Sequence, residues 1–376
     1  MYCFQGTLRS PGPLSSELVW APNHLPANPA PLPAGLKCGM VADALQRGEE
    51  FKDDFRRALP VDLVQRLSRV SGWRSAWSLL QEFTVLAALL AVALYWWTWW
   101  TVIPCVLLIG TRQHALFVLA HEAAHYRLFE RRALNDFAGR LCATLQGLSM
   151  RTYRVIHRLH HNNLYTELDP DTALHGGYPR GKAYLAKKLL KDLSGFTAWK
   201  TYAYFLGGAP ALNTQTKVAI RPLDDTSAKL REEAGTDRNT VVLFHAACLI
   251  FFAWHGFLVE YLALWILPLA TVVQAILRLR AIAEHGATSD FSSPLTAART
   301  NLVPGWLGWL IFPHNVNYHI EHHLYASVPQ YNLPALHREL AERGLLENAE
   351  VVSFLGGTLG KIFADRATSA APLNAA

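Results

Sequence analysis

Nine histidines fall into four groups along this chain: His121 and His125 in HEAAH, His157, His160 and His161 in HRLHH, a lone His285, and His319, His322 and His323 in HIEHH. Residues three and four apart share a face of a helix, so each motif is expected to aim its imidazoles in one direction. Imidazole is the commonest protein metal ligand, and an iron held by neutral nitrogens with open coordination positions can activate dioxygen. Nine imidazoles are too many for one ion and point to two. A single HxxxH is common among surface and capping histidines, but HxxHH occurring twice, with a third cluster upstream, sets this chain apart. His24, His114, His175, His245, His255, His314 and His337 have no such grouping and are read as structural or solvent-facing.

The elements that must position these histidines are apolar and long. Phe83 to Ala120 carries one charged residue, Arg112, and Thr240 to Leu277 carries one, Glu260. A bilayer-spanning helix needs about 20 apolar residues, so each stretch is long enough for two spans joined by a tight turn. Tyr95, Trp96, Trp97, Trp99 and Trp100 mark the first turn, as an aromatic belt at the membrane surface would, and His255, Gly256 and Glu260 mark the second. Neither turn contains Lys or Arg, whereas the segment between the stretches holds Arg127, Arg131, Arg132, Arg140, Arg151, Arg154, Arg158, Lys182, Lys187, Lys188 and Lys191. The positive-inside rule then places both termini and all nine histidines in the cytoplasm. If Arg112 and Arg278 mark that membrane surface, His121 and His285 lie roughly 10 to 14 Å beyond it at 1.5 Å per residue.

The expected fold is therefore all-α and integral to the membrane: four transmembrane helices in two hairpins, with a cytoplasmic helical cap. Residues 1–40 form a Pro-rich cytoplasmic arm, 41–345 the membrane domain and 346–376 a C-terminal tail. Ala42 to Val70 is expected to lie at the membrane surface, and LVPGWLGWLIF (Leu302 to Phe312) to form an interfacial or re-entrant element that delivers His319. The net charge of +6 reflects topology and attraction to anionic lipid, and nothing calls for nucleic acid. Five cysteines without a CxxC pair indicate neither a thiolate zinc site nor a disulfide framework.

HEAAH, HRLHH and HIEHH, with DPDT at Asp169 to Thr172 and NVNYHIEHHLYASVPQYNLPALH around the third motif, resemble the histidine boxes of the integral-membrane fatty acid desaturase and hydroxylase superfamily, in its bacterial desaturase-like branch. The resemblance runs from about Phe83 to His337. It implies a non-haem di-iron centre held by His121, His125, His157, His160, His161, His285, His319, His322 and His323, in the cytoplasmic cap of a bacterial inner-membrane protein. It also implies O2 as co-substrate, a long-chain fatty acyl substrate held among membrane lipid, and electrons from outside. No HPGG haem motif of a fused cytochrome domain is present, so a separate ferredoxin-, rubredoxin- or cytochrome-type donor and its reductase are expected. In the acyl-CoA branch an asparagine four residues before the lone histidine helps complete the site; here that position is Ala281, leaving Asn315 or Glu284 as substitutes. Asp136, Glu167, Asp169 and Asp171 are candidates to orient ligand imidazoles.

Desaturation of the acyl chain is the expected reaction. The same oxidant could instead hydroxylate it, or decarboxylate a free fatty acid to a terminal alkene. Arg127, Arg131 and Arg132, just after the first box, could hold a free carboxylate near the irons. HEAAH also reads literally as HExxH, the zinc metalloprotease pattern, although an intramembrane protease would leave seven of the nine histidines without a role.

Overall fold

The computed structural model describes residues 55 and 58–364, apart from 165, 167, 213–218, 225 and 289–292. The Pro-rich arm at 1–40, residues 42–54 and Glu167 lie outside the described residues. The chain is mostly helical. Helix α1 (Val61–Leu67) is short and leads through Ser71 into the first long pair, α2 (Gly72–Tyr95) and α3 (Trp99–Ala124), joined at the expected aromatic turn. Surface helices α4 (Arg132–Leu145), α5 (Met150–Asn162), α6 (Gly181–Leu193) and α7 (Ala198–Phe205) follow, then the second long pair, α8 (Ala228–Trp254) and α9 (Leu258–His285). Helices α10 (His319–Leu324), α11 (Leu333–Glu342) and α12 (Leu359–Phe363) follow.

Among the described residues, three stretches are long and apolar enough to cross a membrane: Val61–Tyr95, Trp99–Ala124 and Leu258–His285. The expected third span falls in α8, but that helix begins well upstream of Thr240 with a charged half that includes Lys229, Arg231, Glu232, Glu233, Asp237 and Arg238. Its apolar part, Thr240 to Trp254, is shorter than the about 20 residues of a full span.

Helix α3 is the axis of the molecule. It packs against α2, α4, α5 and α9, and every residue from Ile109 to Ala124 is buried. Its polar side chains therefore face protein and not lipid. Arg112 faces Glu82 of α2 at 3.3 Å with both side chains 1% exposed, and stacks over Trp309 at 3.7 Å. Arg112 is thus no marker of membrane depth, because its charge is neutralised in the core rather than at a lipid surface. Arg278, the other presumed marker, is an ion-pair partner of Asp192 in α6. Gly110 lets α3 and α9 touch: a Cβ there would lie 2.5 Å from the Cβ of Val272.

Helix α9 is interrupted. A π-turn at Leu262–Ile266 and a break at Thr271 (φ −123°, ψ −77°) follow from Pro268, which has no N–H to continue the ladder. Polar side chains take up the carbonyls: Gln113 Nε2 donates to Trp265 O (2.9 Å), and both Tyr202 Oη (3.0 Å) and Gln274 Nε2 (2.9 Å) donate to Leu269 O. Unmet carbonyls in an apolar core are costly, and this is how a broken helix persists there.

Among the described residues, two minute sheets qualify the all-α expectation. One pairs β1 (Ala211–Leu212) with β2 (Ala219–Ile220). The other sets β3 (Thr300–Leu302) parallel to β4 (Val351–Ser353), Thr300 opposite Val351. Through the second pair, part of the segment expected to be a tail joins the body. Arg299 pairs with Glu350 (3.2 Å), Thr358 Oγ1 donates to Asn301 Oδ1 (2.6 Å), and α12 packs on α6 and α9.

Candidate metal centre

All nine histidines come together, and they divide into two groups. His121, His125, His157, His161 and His322 form one; His160, His285, His319 and His323 form the other, with the ligand atoms of each group within 4.8 Å of one another. The division corrects the expectation that each motif aims all its imidazoles one way. Adjacent helical residues point about 100° apart, so the two members of an HH doublet cannot serve the same point. In α5 the i, i+4 pair His157 and His161 enters the first group and His160 the second; in α10 the pair His319 and His323 enters the second and His322 the first. Helix α3, with His125 at its C-cap, supplies only the first group, and α9, ending at His285, only the second.

Within each group the Nε2 atoms converge. His161 Nε2 lies 2.9 Å from His157 Nε2 and 3.0 Å from His322 Nε2, and His157 Nε2 lies 2.7 Å from His125 Nε2. In the second group His285 Nε2 lies 3.2 Å from His160 Nε2 and 2.8 Å from His319 Nε2, with His323 Nε2 3.2 Å from His319 Nε2. Single protons cannot satisfy three nitrogens aimed at one point. Imidazoles bound at about 2.1 Å to a common ion would sit about 3 Å apart at right angles, which matches. His121 provides an independent test: it is 2% exposed, and its Nε2 has no hydrogen-bond partner among the described residues. A buried orphan nitrogen in a ring of imidazoles fits a metal ligand.

Charge supports the same reading. Burial, reinforced by the neighbouring imidazoles, holds His157, His161, His319, His322 and His323 well below the usual imidazole range, and burial with nearby Arg127 and Arg154 holds His125 at about 3. These rings are neutral and offer lone pairs. His160 differs: burial opposes its charge, but the Asp169 carboxylate and its hydrogen bond outweigh that and lift it to about 9. The helix C-termini that carry His121 and His285 add negative dipole ends toward any bound cation.

A second layer orients the rings. His160 Nδ1 pairs with Asp169 Oδ1 at 2.9 Å, and His285 Nδ1 donates to Ala297 O at 3.2 Å. Glu321, wholly buried within HIEHH, accepts from Thr300 Oγ1 (2.6 Å) and His337 Nδ1 (2.5 Å), fixing α10. Of the two residues that could substitute at the Ala281 position, Glu284 is the closer to ligand nitrogens: its Oε2 is 3.8 Å from His319 Nε2, and Arg280 holds it at 2.9 Å while reaching His114 Nε2 at 3.1 Å. Asn315 instead donates to Gln330 O at 3.1 Å.

Most of the other sequence candidates have structural partners. Asp136 pairs with Arg154 (2.8 Å), and Asp171 approaches His160 Nδ1 at 3.7 Å. Arg132 bonds Tyr126 Oη (2.7 Å), and Arg131 is exposed. Glu122 of the HExxH pattern accepts from the Gln330 amide at 3.0 Å, so it ties α3 to the turn that precedes α11 instead of standing as a free general base. The residue missed by sequence reasoning is His175. It is buried, 3.8 Å from Asp169 and with its ring 5.0 Å from that of His285, so Asp169 stands between two imidazoles. The usable signal was its position one helical turn after DPDT.

Residues 97–353 match the family model described as fatty acid desaturase. The chain is similar to the dihydrorhizobitoxine desaturase of Bradyrhizobium elkanii, 26% identical over 262 residues that cover 66% of this chain and 70% of that protein. It is similar to a chloroplastic omega-3 fatty acid desaturase of Ricinus communis, 25% identical over 301 residues, 74% of this chain and 61% of the relative. A shorter match, 29% identical over 110 residues and covering 29% of this chain and 30% of the relative, is to an sn-1 acyl-lipid omega-3 desaturase (ferredoxin) of a Nostoc strain.

Proposed function

We propose, from the premise that this chain belongs to the fatty acid desaturase family, that it is a membrane oxidoreductase introducing a double bond into a long-chain fatty acyl substrate. The observation that carries the metal reading is the division of nine imidazoles into groups of five and four. Two non-haem irons held there would supply, with O2, the oxidising power to remove hydrogen from an unactivated CH2, which amino-acid side chains lack.

The protein's part is to hold and to exclude. Asp169 keeps a proton on His160 Nδ1 and so leaves Nε2 as the donor atom; Ala297 O does the same for His285. Glu284, restrained by Arg280, is the residue we assign to complete the four-histidine group. Buried walls from α3 and α9 keep bulk water from the reacting carbon and fix its position.

Electrons come from a separate ferredoxin-, rubredoxin- or cytochrome-type donor and its reductase, a reading in keeping with the name of the Nostoc relative. For topology, we place the apolar half of α8 as a fourth span, its hairpin with α9 turning at Gly256. The nine histidines and both termini then face the cytoplasm of a bacterial inner membrane, supported by basic residues concentrated between the hairpins.

The test is product analysis by mass spectrometry after feeding a perdeuterated fatty acid to the purified, donor-coupled protein. Loss of two deuterons with every carbon retained is expected. A terminal alkene one carbon shorter, or an alcohol, refutes desaturation while leaving the metal assignment in place.

A further inference from the structure

We propose that the cavity between the start of α2 and the turns at 313–316 and 330–331 is the port by which substrate reaches the metal centre, and that Arg74 holds the carboxylate of a free long-chain fatty acid at its mouth. The proposal deepens the reading of the site as an acyl-chain oxidase and rests on it.

The cavity has a volume of about 370 Å³, within the range of small-molecule sites, and Trp73, Arg74, Trp77, His314, Gln330 and Tyr331 are among its walls. Behind it lies a void of about 10 Å³ that shares His314 and Gln330 with the cavity and is bounded on its far side by His121 and His322. His314 and Gln330 therefore form the partition between the open cavity and the five-histidine group. The inner void has room for about one water, so an acyl chain passes only when the partition moves. His314 (φ 56°) and the next residue, Asn315 (φ 57°), both adopt the left-handed conformation that side chains disfavour. His314 Nε2 lies 3.1 Å from a carboxylate oxygen of Glu82 of α2, itself paired with Arg112.

The mouth has the character of a membrane interface. Trp73 and Trp77 are 70% and 53% exposed on the first turns of a candidate span, where indole rings sit at head-group level. Arg74 is exposed between them, and no carboxylate pairs with it among the described residues. Its guanidinium touches Asn332 Oδ1 at 3.3 Å and lies 5.2 Å from the Tyr331 ring centroid. A guanidinium fork at head-group depth matches a carboxylate in shape and charge. The imidazole of the wall, His314, lies beside the Glu82 carboxylate, so Arg74 is the fixed positive charge among the described wall residues and one positive charge meets one negative charge. That pattern favours a fatty acid over a polyphosphate carrier.

The experiment uses the purified iron-loaded protein and palmitic acid carrying a diazirine beside its carboxylate. After irradiation, adducts are mapped by mass spectrometry, with unlabelled palmitate, methyl palmitate and dioleoyl phosphatidylglycerol as competitors. Adducts are expected within 73–78 and 330–332, displaced by palmitate alone. Arg74→Gln should cut labelling and raise KM about tenfold, the effect of losing one charge-assisted hydrogen bond, with kcat little changed and iron content intact. Arg74→Lys should restore part of both. Adducts elsewhere, or wild-type labelling and KM in Arg74→Gln, overturn the port. Displacement by the ester or phospholipid as effective as by palmitate overturns the free-acid assignment. Should Arg74→Gln not fold, the adduct map and competition on the unaltered protein still decide. Labelling at the port in a protein that oxidises no acyl chain would refute the proposed function and retain the port, whereas turnover with an unchanged KM in Arg74→Gln would do the reverse.

Discussion

Replacing Asp169 by asparagine should remove one iron and spare the other. Asp169 is wholly buried; its Oδ1 meets His160 Nδ1 at 2.9 Å and also accepts from the Asp171 amide at 3.0 Å. Asparagine has the same shape, and its carbonyl can still accept both bonds, so the change removes charge with little disturbance of geometry. Losing the carboxylate behind a ligand imidazole typically lowers metal affinity 10- to 100-fold, or about 1.4 to 2.7 kcal/mol. His160 belongs to the four-histidine group alone, so the loss should be confined to that ion. Chelator titration followed by iron analysis should give one tight and one weakened class in Asp169→Asn, against two tight ions in the unaltered protein. Asp136→Asn is the comparison, because Asp136 bonds Arg154 and no ligand imidazole, and it should behave as wild type. Parallel loss of both irons from Asp169→Asn with an unchanged thermal transition, or full retention of both, would refute the two-group reasoning.

Gly110→Ala would put a methyl 2.5 Å from Val272 Cβ, about 1 Å inside contact distance, and should cost about 1 to 3 kcal/mol in stability, read as a lowered unfolding temperature in detergent. Gln274→Leu and Tyr202→Phe each leave one donor on Leu269 O, so each should cost about 1 kcal/mol; the double variant strands a buried carbonyl and should lose more than the sum, as chemical denaturation would show. Cysteines placed at Thr98 and Gly256 should react with an impermeant maleimide in whole cells and one at Leu190 should not; a reactive Leu190 position would invert the topology.

How much of this could be read from sequence depends on the range of the interactions involved. The three motifs were visible because metal ligation demands specific residue types at helical spacings, and the α2–α3 hairpin because lipid demands an uninterrupted apolar run. His175 escaped because its role depends on Asp169 folding back between it and His160, a contact that no local period encodes. Arg112 misled because a charge in an apolar run looks the same in sequence whether it faces head groups or, as here, a buried glutamate thirty residues away. The apparent tail at Val351 to Ser353 acquires its role from pairing with Thr300 to Leu302, and a three-residue parallel pairing leaves almost no pattern in either segment.

The HH doublets show how a few elements can supply two groups of imidazoles. Because neighbouring helical residues diverge by about 100°, one helix placed between two ions can serve both, giving an i, i+4 pair to one and the intervening residue to the other. Helices α5 and α10 do this in opposite senses, two plus one against one plus two. The spacing between the groups is therefore set by the short helices α5 and α10, while the long helices α3 and α9 each close one group from its own side. A shift between α3 and α9 should then loosen each group singly without changing the distance between them. Gly110→Ala tests this directly, since the two helices touch there: iron–iron separation measured by X-ray absorption should hold while affinity falls at both sites. A changed separation would mean that the membrane helices, and not the doublets, set the geometry.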